Sequence, residues 1–323
     1  MSTIDVGLVF TTPDIDMTVP RYRPAGLAYE GTNRYRDSRY YTPPDPVIIA
    51  AFLTIVAKFQ KLYEIDILAF CLMGSHDHLI PIDRDPNGPS RVGKFKQQVH
   101  ACMALFLQDY WDLPDDPVYS KKVVEQLFPI LDHGRLVEKI AYVEMNFIKA
   151  GLVSNNSELP PGAVSTREMM REPLIVERPD QWFRPNKWPE KAEIKLAVPE
   201  YYLEREGLTE DHFLFDTTRE CLIRRYEILT ERAEAGAGFV GVDKLAEETP
   251  YEAQKDERST KKVLFTGNDP AVNARHYLDY RNFLRGYSRA SGRVKEGKHE
   301  TVFPFGTCKM VLSYGFQMHV PPG

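Results

Sequence analysis

The sequence predicts an α+β protein in which helices pack against an antiparallel sheet. Three observations indicate this class: strand and helix signals alternate over the first half of the chain, a Gly-Ser turn joins two of the strands, and no internal repeat is visible. The 323 residues, 43% of them hydrophobic and 27% charged, suffice for about two domains. This composition excludes a disordered chain and a minimal peptide scaffold.

Local signals place the elements of the first half in order. Asp45 is a good N-cap and Pro46 is tolerated at the first helical position, so a helix begins there. Glycine at the first central position of a two-residue loop favours a type II′ hairpin, which makes Gly74 and Ser75 the turn between two antiparallel strands. The predicted elements are a strand at 27–33, a helix at 46–63, strands at 66–72 and 76–82, a helix at 90–110, a strand at 118–124 and a helix at 133–150.

The second half of the chain is predicted to be a mainly helical extension. A linker and a proline-rich stretch occupy 155–189, which places a first domain at 1–155 and a C-terminal accessory region at 156–323. Helices are expected at 217–235 and 269–292. The second of these helices carries rows of tyrosine and arginine, which we interpret as a packing face and a solvent face, with contact to a nucleic acid as the alternative.

Charge and cysteine content restrict the partners and the compartment. With 41 Lys and Arg against 46 Asp and Glu, the net charge is -5, which for the whole chain argues against a nucleic-acid partner. The four cysteines are widely separated, which is typical of reduced thiols, so we expect a cytoplasmic protein. Residues 1–20 contain no Lys or Arg and the longest apolar stretch, 47–57, is short, so neither a signal peptide nor a membrane span is predicted.

Two histidines at alternate positions form the first candidate site. Residues two apart in a strand project from the same face, so His76 and His78 can bind one divalent metal ion while Asp77 faces the other way. Such a pair also occurs by chance, and the alternative is that both histidines are structural.

A tyrosine and an asparagine on the third predicted helix form the second candidate site. Tyr142 and Asn146 are four residues apart and therefore share a helix face. A phenol with a pKa near 10 is a poor nucleophile unless a metal or a base assists it, and the Asn146 carbonyl oxygen could complete the coordination of a metal. The alternative is that Tyr142 packs in the core and Asn146 lies on a solvated face.

The two candidate sites together resemble a known family. Met73-Gly74-Ser75-His76-Asp77-His78-Leu79 resembles the Met-x-x-His-hydrophobe-His-Leu motif of single-tyrosine HUH transposases. The segment 138–153 is similar to the tyrosine helix of the REP-associated tyrosine transposases and related insertion-sequence proteins, and the order of the two motifs agrees. Weaker similarity extends to 180–185 and 303–307. The resemblance implies that the first domain has a ferredoxin-like antiparallel sheet with packed helices.

The resemblance also implies a chemistry and a role for each residue. His76 and His78 would hold Mg²⁺ or Mn²⁺, Asn146 would supply an amide as the third ligand, and Tyr142 would attack single-stranded or hairpin DNA. The products would be a 5′-phosphotyrosyl enzyme and a free 3′-hydroxyl, and reversal with another 3′-hydroxyl would transfer the strand without ATP. Members of this group are dimers or monomers, so a homodimer is one expected state.

Two positions depart from the family pattern. Asp77 stands where the family has a bulky buried hydrophobe, and burying its carboxylate is costly unless the group is paired or hydrogen-bonded. Phe147 stands where the family has proline after the asparagine. The alternative is therefore a domesticated or inactive regulatory protein that binds a DNA hairpin. A small metal hydrolase acting on another phosphodiester is a third hypothesis.

A locally basic and aromatic segment is the expected DNA surface. Arginine meets phosphates and aromatic rings stack on unpaired bases, which is what a single-stranded partner requires. The alternative is a solvated arm with packing tyrosines. The candidate DNA-binding residues are Arg21, Arg23, Arg34, Arg36, Arg39, Lys94, Lys96, Lys121 and Lys122. The sequence contains neither the Gly-x-Ser-x-Gly elbow of a serine hydrolase nor a phosphate-binding P-loop, which argues against both enzyme classes.

Overall fold

The structure, a computed structural model, describes residues 21–115, 117–119, 126–251 and 264–320. Lys121 and Lys122, together with most of the strand predicted at 118–124, lie outside the described residues. The helices and strands below are those of the described part of the chain.

Four antiparallel strands form the main sheet, and helices pack on it, which confirms the predicted α+β class. The strands are β1 Tyr29–Arg34, β2 Ile65–Met73, β3 His76–Asp83 and β4 Gln126–Pro129. Their order across the sheet is β2-β3-β1-β4. The fourth strand of the described residues is Gln126–Pro129, which pairs with β1, and Tyr119, from the stretch predicted at 118–124, makes an isolated bridge to Tyr35.

Helices connect and cover these strands. The first cap is as predicted, since Asp45 Oδ1 accepts from the amides of Val47 at 2.7 Å and Ile48 at 3.0 Å. The helices are α1 Pro46–Tyr63, α2 Val92–Tyr110, α3 His133–Glu144, α4 Asn146–Lys149, α5 Glu200–Glu206, α6 Glu210–Glu234, α7 Val242–Ala246, α8 Pro270–Lys295 and α9 Lys309–Tyr314. The smaller strands are β5 Leu174–Glu177, β6 Lys191–Ile194, β7 Val302–Phe303 and β8 Gln317–Met318.

The third predicted helix is interrupted, which the sequence pattern did not indicate. Met145 has ψ of 4°, outside the helical region, and separates α3 from α4. The side chain of Asn146 donates to the Val143 carbonyl at 3.4 Å. In a regular helix that carbonyl accepts from the amide four residues later, so the asparagine side chain competes with the helix at this point.

Two regions in the second half also differ from the prediction. Helix α6 begins at Glu210 rather than near 217, because Thr209 caps it and forms a reciprocal capping box with His212. The stretch 155–189 holds short 3-10 turns and strand β5, which pairs with β6. Helix α8 begins as predicted, since the Asp269 side chain accepts from the amides of its first turn.

One hydrophobic core extends across residue 155. The segment after it adds to the edge of β2, where the Leu72 amide donates to Ala163 O and the Ser165 amide donates to Phe70 O. Side chains from α5 and α6, among them Tyr202 and Phe213, belong to the same cluster. The domain boundary at residue 155 stays a prediction. A second, smaller cluster joins α8 to the end of the described chain.

Helix α1 is long and apolar enough, by length and composition, to cross a membrane. A core helix passes the same test. In this structure α1 packs against α2 and strand β2, and its Phe52, Ile55 and Val56 side chains are at most 1% exposed. Burial in the core accounts for its apolar composition.

Candidate active site

The two histidines of β3 lie side by side at the start of the strand. Their ring centroids are 4.8 Å apart with the planes at 79°, as expected for residues that share one face. Gly74 and Ser75 form the two-residue turn before them, as predicted, but the turn is not type II′, because Gly74 does not have the positive φ that this type requires. Glycine is needed there because the ring of Tyr40 lies where a side chain would clash. Thr42 Oγ1 donates to the Met73 carbonyl at 2.7 Å and holds the turn.

His78 has the arrangement of a metal ligand. Its Nδ1 is hydrogen-bonded to Thr32 Oγ1 at 3.0 Å, on the neighbouring strand. Its Nε2 is buried and has no hydrogen-bond partner among the described residues. Buried polar atoms are nearly always bonded, and metal-binding histidines are held through their other nitrogen, so the geometry leaves Nε2 available to a ligand.

Both imidazoles are uncharged at neutral pH. Burial first, and then the charge of Arg34, lowers the pKa of His76 to about 4. Burial also holds the pKa of His78 well below its usual value, with His76 and Arg34 adding to the effect. A neutral imidazole has the lone pair that a metal requires, so the environment favours the ligand form.

Tyr142 lies against this histidine pair. The centroids of the Tyr142 and His78 rings are 5.7 Å apart, with the rings perpendicular. The side chain is half-buried, and burial, with a smaller contribution from Glu30, raises the pKa of its phenol, while Arg34 and Arg224 oppose the shift. Tyr142 is therefore a phenol at neutral pH and has to lose its proton in order to act as a nucleophile.

Cations surround the Tyr142 ring, and sequence reasoning missed most of them. The ammonium groups of Lys139 and Lys149 lie 5.6 Å and 5.1 Å from the ring centroid. Their spacing, three residues before and seven after Tyr142, is that of one helix face and could have identified them. Arg224 comes from α6, and no local pattern indicates it. Lys139 is also paired with Glu30 at 2.7 Å.

Among the described residues no hydrogen bond joins the Asn146 side chain to His76 or His78. Its side chain is 7% exposed and donates to the carbonyl of Val143. The break at Met145 separates it from the helix that carries Tyr142. Tyr142 is half-exposed whereas Asn146 is buried, and a common role for the two side chains stays a prediction.

Asp77 occupies the opposite face of β3, as predicted, and its burial is compensated. The side chain is 1% exposed. Its Oδ1 accepts from Asn33 Nδ2 at 2.6 Å, and His100 Nε2 lies 3.8 Å from the same oxygen. Asn33 is the register partner of Asp77 on β1, so this hydrogen bond joins the two strands directly behind the histidines.

The predicted DNA-binding residues are placed in different environments. Arg34 is exposed and pairs in register with His76, which brings it to the site. Arg21 and Lys94 are exposed, and Arg36 and Arg39 follow β1 and are half-buried, with Arg36 paired to Asp37 at 3.4 Å. 

Two of the predicted DNA-binding residues point inward instead. Burial lowers the pKa of Arg23, whose guanidinium occupies the space beside Gly93. Lys96 is 3% exposed with Nζ 3.5 Å from Thr32 O, and burial lowers its pKa to about 7 although Asp77 opposes the shift. Arg34, Lys139 and Lys149 therefore supply more of the positive charge at the site than the other predicted arginines at 21–39 do.

The residues at the site fit a metal ion in part. Two neutral imidazoles, one with an unpartnered buried nitrogen, are suitable ligands. In the described part of the chain no group of three or more His, Cys, Asp or Glu side chains surrounds a common point, so further ligands have to come from an amide, water or a phosphate oxygen. Mg²⁺ and Mn²⁺ both prefer oxygen ligands, so either ion would depend on these additional oxygen atoms.

Comparison with known proteins adds one structural likeness. The chain is similar to a solved REP-associated tyrosine transposase bound to a REP hairpin, with 19% sequence identity over 44% of this chain and 79% of that chain and a TM-score of 0.32. No family model and no curated protein matches the chain. A likeness of this size establishes neither family nor function, and the chemistry of the site has to be argued from its own geometry.

Proposed function

We propose that this protein is a metal-dependent single-stranded DNA endonuclease and strand transferase in which Tyr142 is the nucleophile. The observation that carries the proposal is the perpendicular contact of Tyr142 with His78, whose Nε2 is buried and has no hydrogen-bond partner among the described residues. A tyrosine beside two neutral imidazoles that can bind a metal ion is suited to phosphodiester transfer to the tyrosine.

The residues of the chain have separate tasks in this reaction. Tyr142 Oη gives its proton to water and forms a bond to the phosphorus while the bond from phosphorus to the 3′-oxygen breaks. The 3′-oxygen takes one proton from water and leaves as the hydroxyl, so the protons balance. Lys149 and Arg34 place positive charge beside Tyr142, with a smaller contribution from Lys139 because it is paired with Glu30, and this charge would stabilise the transition state. Reversal with another 3′-hydroxyl completes strand transfer.

His76 and His78 would hold the metal ion, which when bound polarises the scissile phosphate. Thr32 orients His78 through Nδ1 and keeps Nε2 directed to the site. Asn146 donates to the Val143 carbonyl through Nδ2, so that bond leaves its amide oxygen Oδ1 able to act as a third ligand. Water can serve in its place.

We also propose that the first domain is ferredoxin-like. Support comes from the element order, strand-helix-strand-strand-helix-strand for β1 to β4 with α1 and α2, and from the antiparallel strand order β2-β3-β1-β4.

The proposal is tested by trapping the covalent intermediate. The protein is incubated with Mn²⁺ and a pool of single-stranded and hairpin oligonucleotides labelled at the 3′ end, which stays with the protein in a 5′-phosphotyrosyl adduct. We expect a protease-sensitive protein-DNA adduct with the wild type and with Tyr63→Phe, a control at another half-buried tyrosine. Tyr142→Phe should form none, because the attacking oxygen is absent. An adduct of equal yield with Tyr142→Phe contradicts the assignment.

A second candidate is a hairpin-binding regulatory protein that lacks the reaction. The lack of a third His, Cys, Asp or Glu beside the two histidines in the described part of the chain favours it. This candidate predicts DNA binding that survives His76→Ala and His78→Ala, with no adduct under any condition. The two candidates are separated by the same trapping experiment.

A further inference from the structure

Helix α8 carries a row of arginines on its exposed face. Arg281, Arg285, Arg289 and Arg293 follow one another at four-residue intervals, and all four are exposed. Within the described part of the chain, no ion pair involves Arg281, Arg285 or Arg289, whereas Arg275 earlier on the helix is paired with Asp279 at 3.5 Å. Like charges at this spacing destabilise a helix, so the fold itself gains nothing from the row.

The other face of α8 is packed, which holds the arginine row outward. Phe283 and Tyr287 are buried in the smaller hydrophobic cluster. The ring of Tyr22 contacts the same face, with centroids 4.9 Å from Phe283 and 5.3 Å from His276. Because this face is occupied, the helix cannot turn the arginines toward the core. The row is a fixed feature of the protein surface.

The start of α8 is tied to the tyrosine helix. The Asn268 amide donates to Asp132 Oδ2 at 2.6 Å, at the cap of α3, and Asn268 Nδ2 donates to Glu138 Oε1 at 2.7 Å. Glu138 lies one turn before Tyr142 on the same side of α3. The first turn of α8 is therefore anchored beside the helix that carries the proposed nucleophile.

We infer that the exposed face of α8 is a second DNA-binding surface, which takes the single strand that leaves the active site. Four residues per step at 1.5 Å per residue make the row of four arginines about 18 Å long, the length of about five stacked nucleotides at 3.4 Å each. Tyr277, one turn before Arg281 and 46% exposed, supplies a ring for base stacking at the end nearest the site. The choice of DNA as the polyanion rests on the proposed function.

The inference is tested by non-covalent binding, independently of the cleavage reaction. The background is Tyr142→Phe in EDTA, and the probe is a fluorescent single-stranded oligonucleotide titrated at several NaCl concentrations. The triple variant Arg281→Gln, Arg285→Gln and Arg289→Gln should bind about 10- to 100-fold more weakly at low salt. The slope of log K against log salt should fall by about 2, because each phosphate contact on a single strand contributes about 0.7.

A matched variant removes the same charge elsewhere. Arg171→Gln, Arg184→Gln and Lys187→Gln change three exposed cations outside α8, and binding should stay within about twofold of the background. An unchanged salt slope in the α8 variant, or an equal loss in the control, overturns the inference. So does binding of the background protein to anionic phosphatidylserine vesicles but not to DNA. If the wild type forms no adduct in the trapping experiment, while the α8 triple variant still binds the oligonucleotide more weakly than the background, only the proposed function is overturned.

Discussion

Asp77 and His78, neighbours on opposite faces of strand β3, differ in how their buried polar groups are bonded. On one face the Asp77 carboxylate accepts a hydrogen bond of 2.6 Å from Asn33, its register partner. On the other face His78 uses one nitrogen to contact Thr32 and leaves the second buried and without a partner among the described residues. Because folded proteins satisfy nearly all buried polar atoms, the difference separates a group that serves the fold from a group that is available to a ligand.

The face of β3 that carries Asp77, the structural face, also supports the face that carries His76 and His78, the functional face. The Asn33–Asp77 bond joins β1 to β3 at one position of the register, and the flanking pairs are Thr32 with His78 and Arg34 with His76. A slip of one residue would move both histidines to the opposite face of the sheet. The aspartate that departs from the family motif is therefore accommodated by a bond that helps to keep the histidines in place.

The largest expected effect tests the functional face. His78→Gln removes an imidazole whose Nε2 makes no bond within the described structure, so we expect adduct formation with Mn²⁺ to fall at least about 100-fold. The unfolding free energy should change by only about 1 kcal/mol, the worth of the hydrogen bond to Thr32. The rate of adduct formation and a urea titration measure the two effects. His299→Gln, at an exposed position, is the control. A wild-type adduct rate in His78→Gln would remove the metal-ligand assignment.

The second prediction tests the structural face. Asp77→Ala leaves the buried Asn33 donor without its acceptor and removes the charge nearest to Lys96, so we expect the unfolding free energy to fall by about 3 kcal/mol. Urea denaturation measures it. Asp115→Ala, at an exposed aspartate, should change stability by less than about 0.5 kcal/mol. If the two variants are equally stable, Asp77 does not stabilise the sheet.

The smallest expected effect is a pH dependence of the unfolding free energy, which arises from the buried Lys96. Burial lowers the pKa of Lys96 to about 7 in the folded protein, while the unfolded chain keeps a value near 10.4. Between these values the unfolded state binds more protons, so the stability contributed by this group rises with pH. Between pH 8 and pH 9 the wild type should gain about 1 kcal/mol relative to Lys96→Met. Parallel stability curves for the two proteins would show that Lys96 stays charged.

Much of the candidate site follows from local periodicity. The alternation of a strand places His76 and His78 on one face and Asp77 on the other, and the structure has this arrangement. The Asp45 and Asp269 caps were also predictable, because a carboxylate before a proline is a local signal for the start of a helix. These features depend on residues within a few positions of one another.

Other features depend on contacts between distant segments. Arg224 reaches the surroundings of Tyr142 from a helix that no motif connects to the site. The fourth strand is at 126–129 because the edge of β1 is available to it there. The burial of Asn146 follows from the break at Met145, where a side chain competes for a backbone carbonyl.

The sequence by itself determined which side chains could act together: two histidines on one strand face, a tyrosine on a later helix and a row of arginines near the end. Only the tertiary structure decided which of them do, because burial and hydrogen bonding are set by partners far along the chain. The tertiary structure satisfies Asp77 through Asn33, 44 residues away, leaves His78 Nε2 unpartnered among the described residues, and turns the arginines of α8 outward by packing the opposite face of that helix. A net charge of -5 contained none of this information, since it sums over positions that the fold separates.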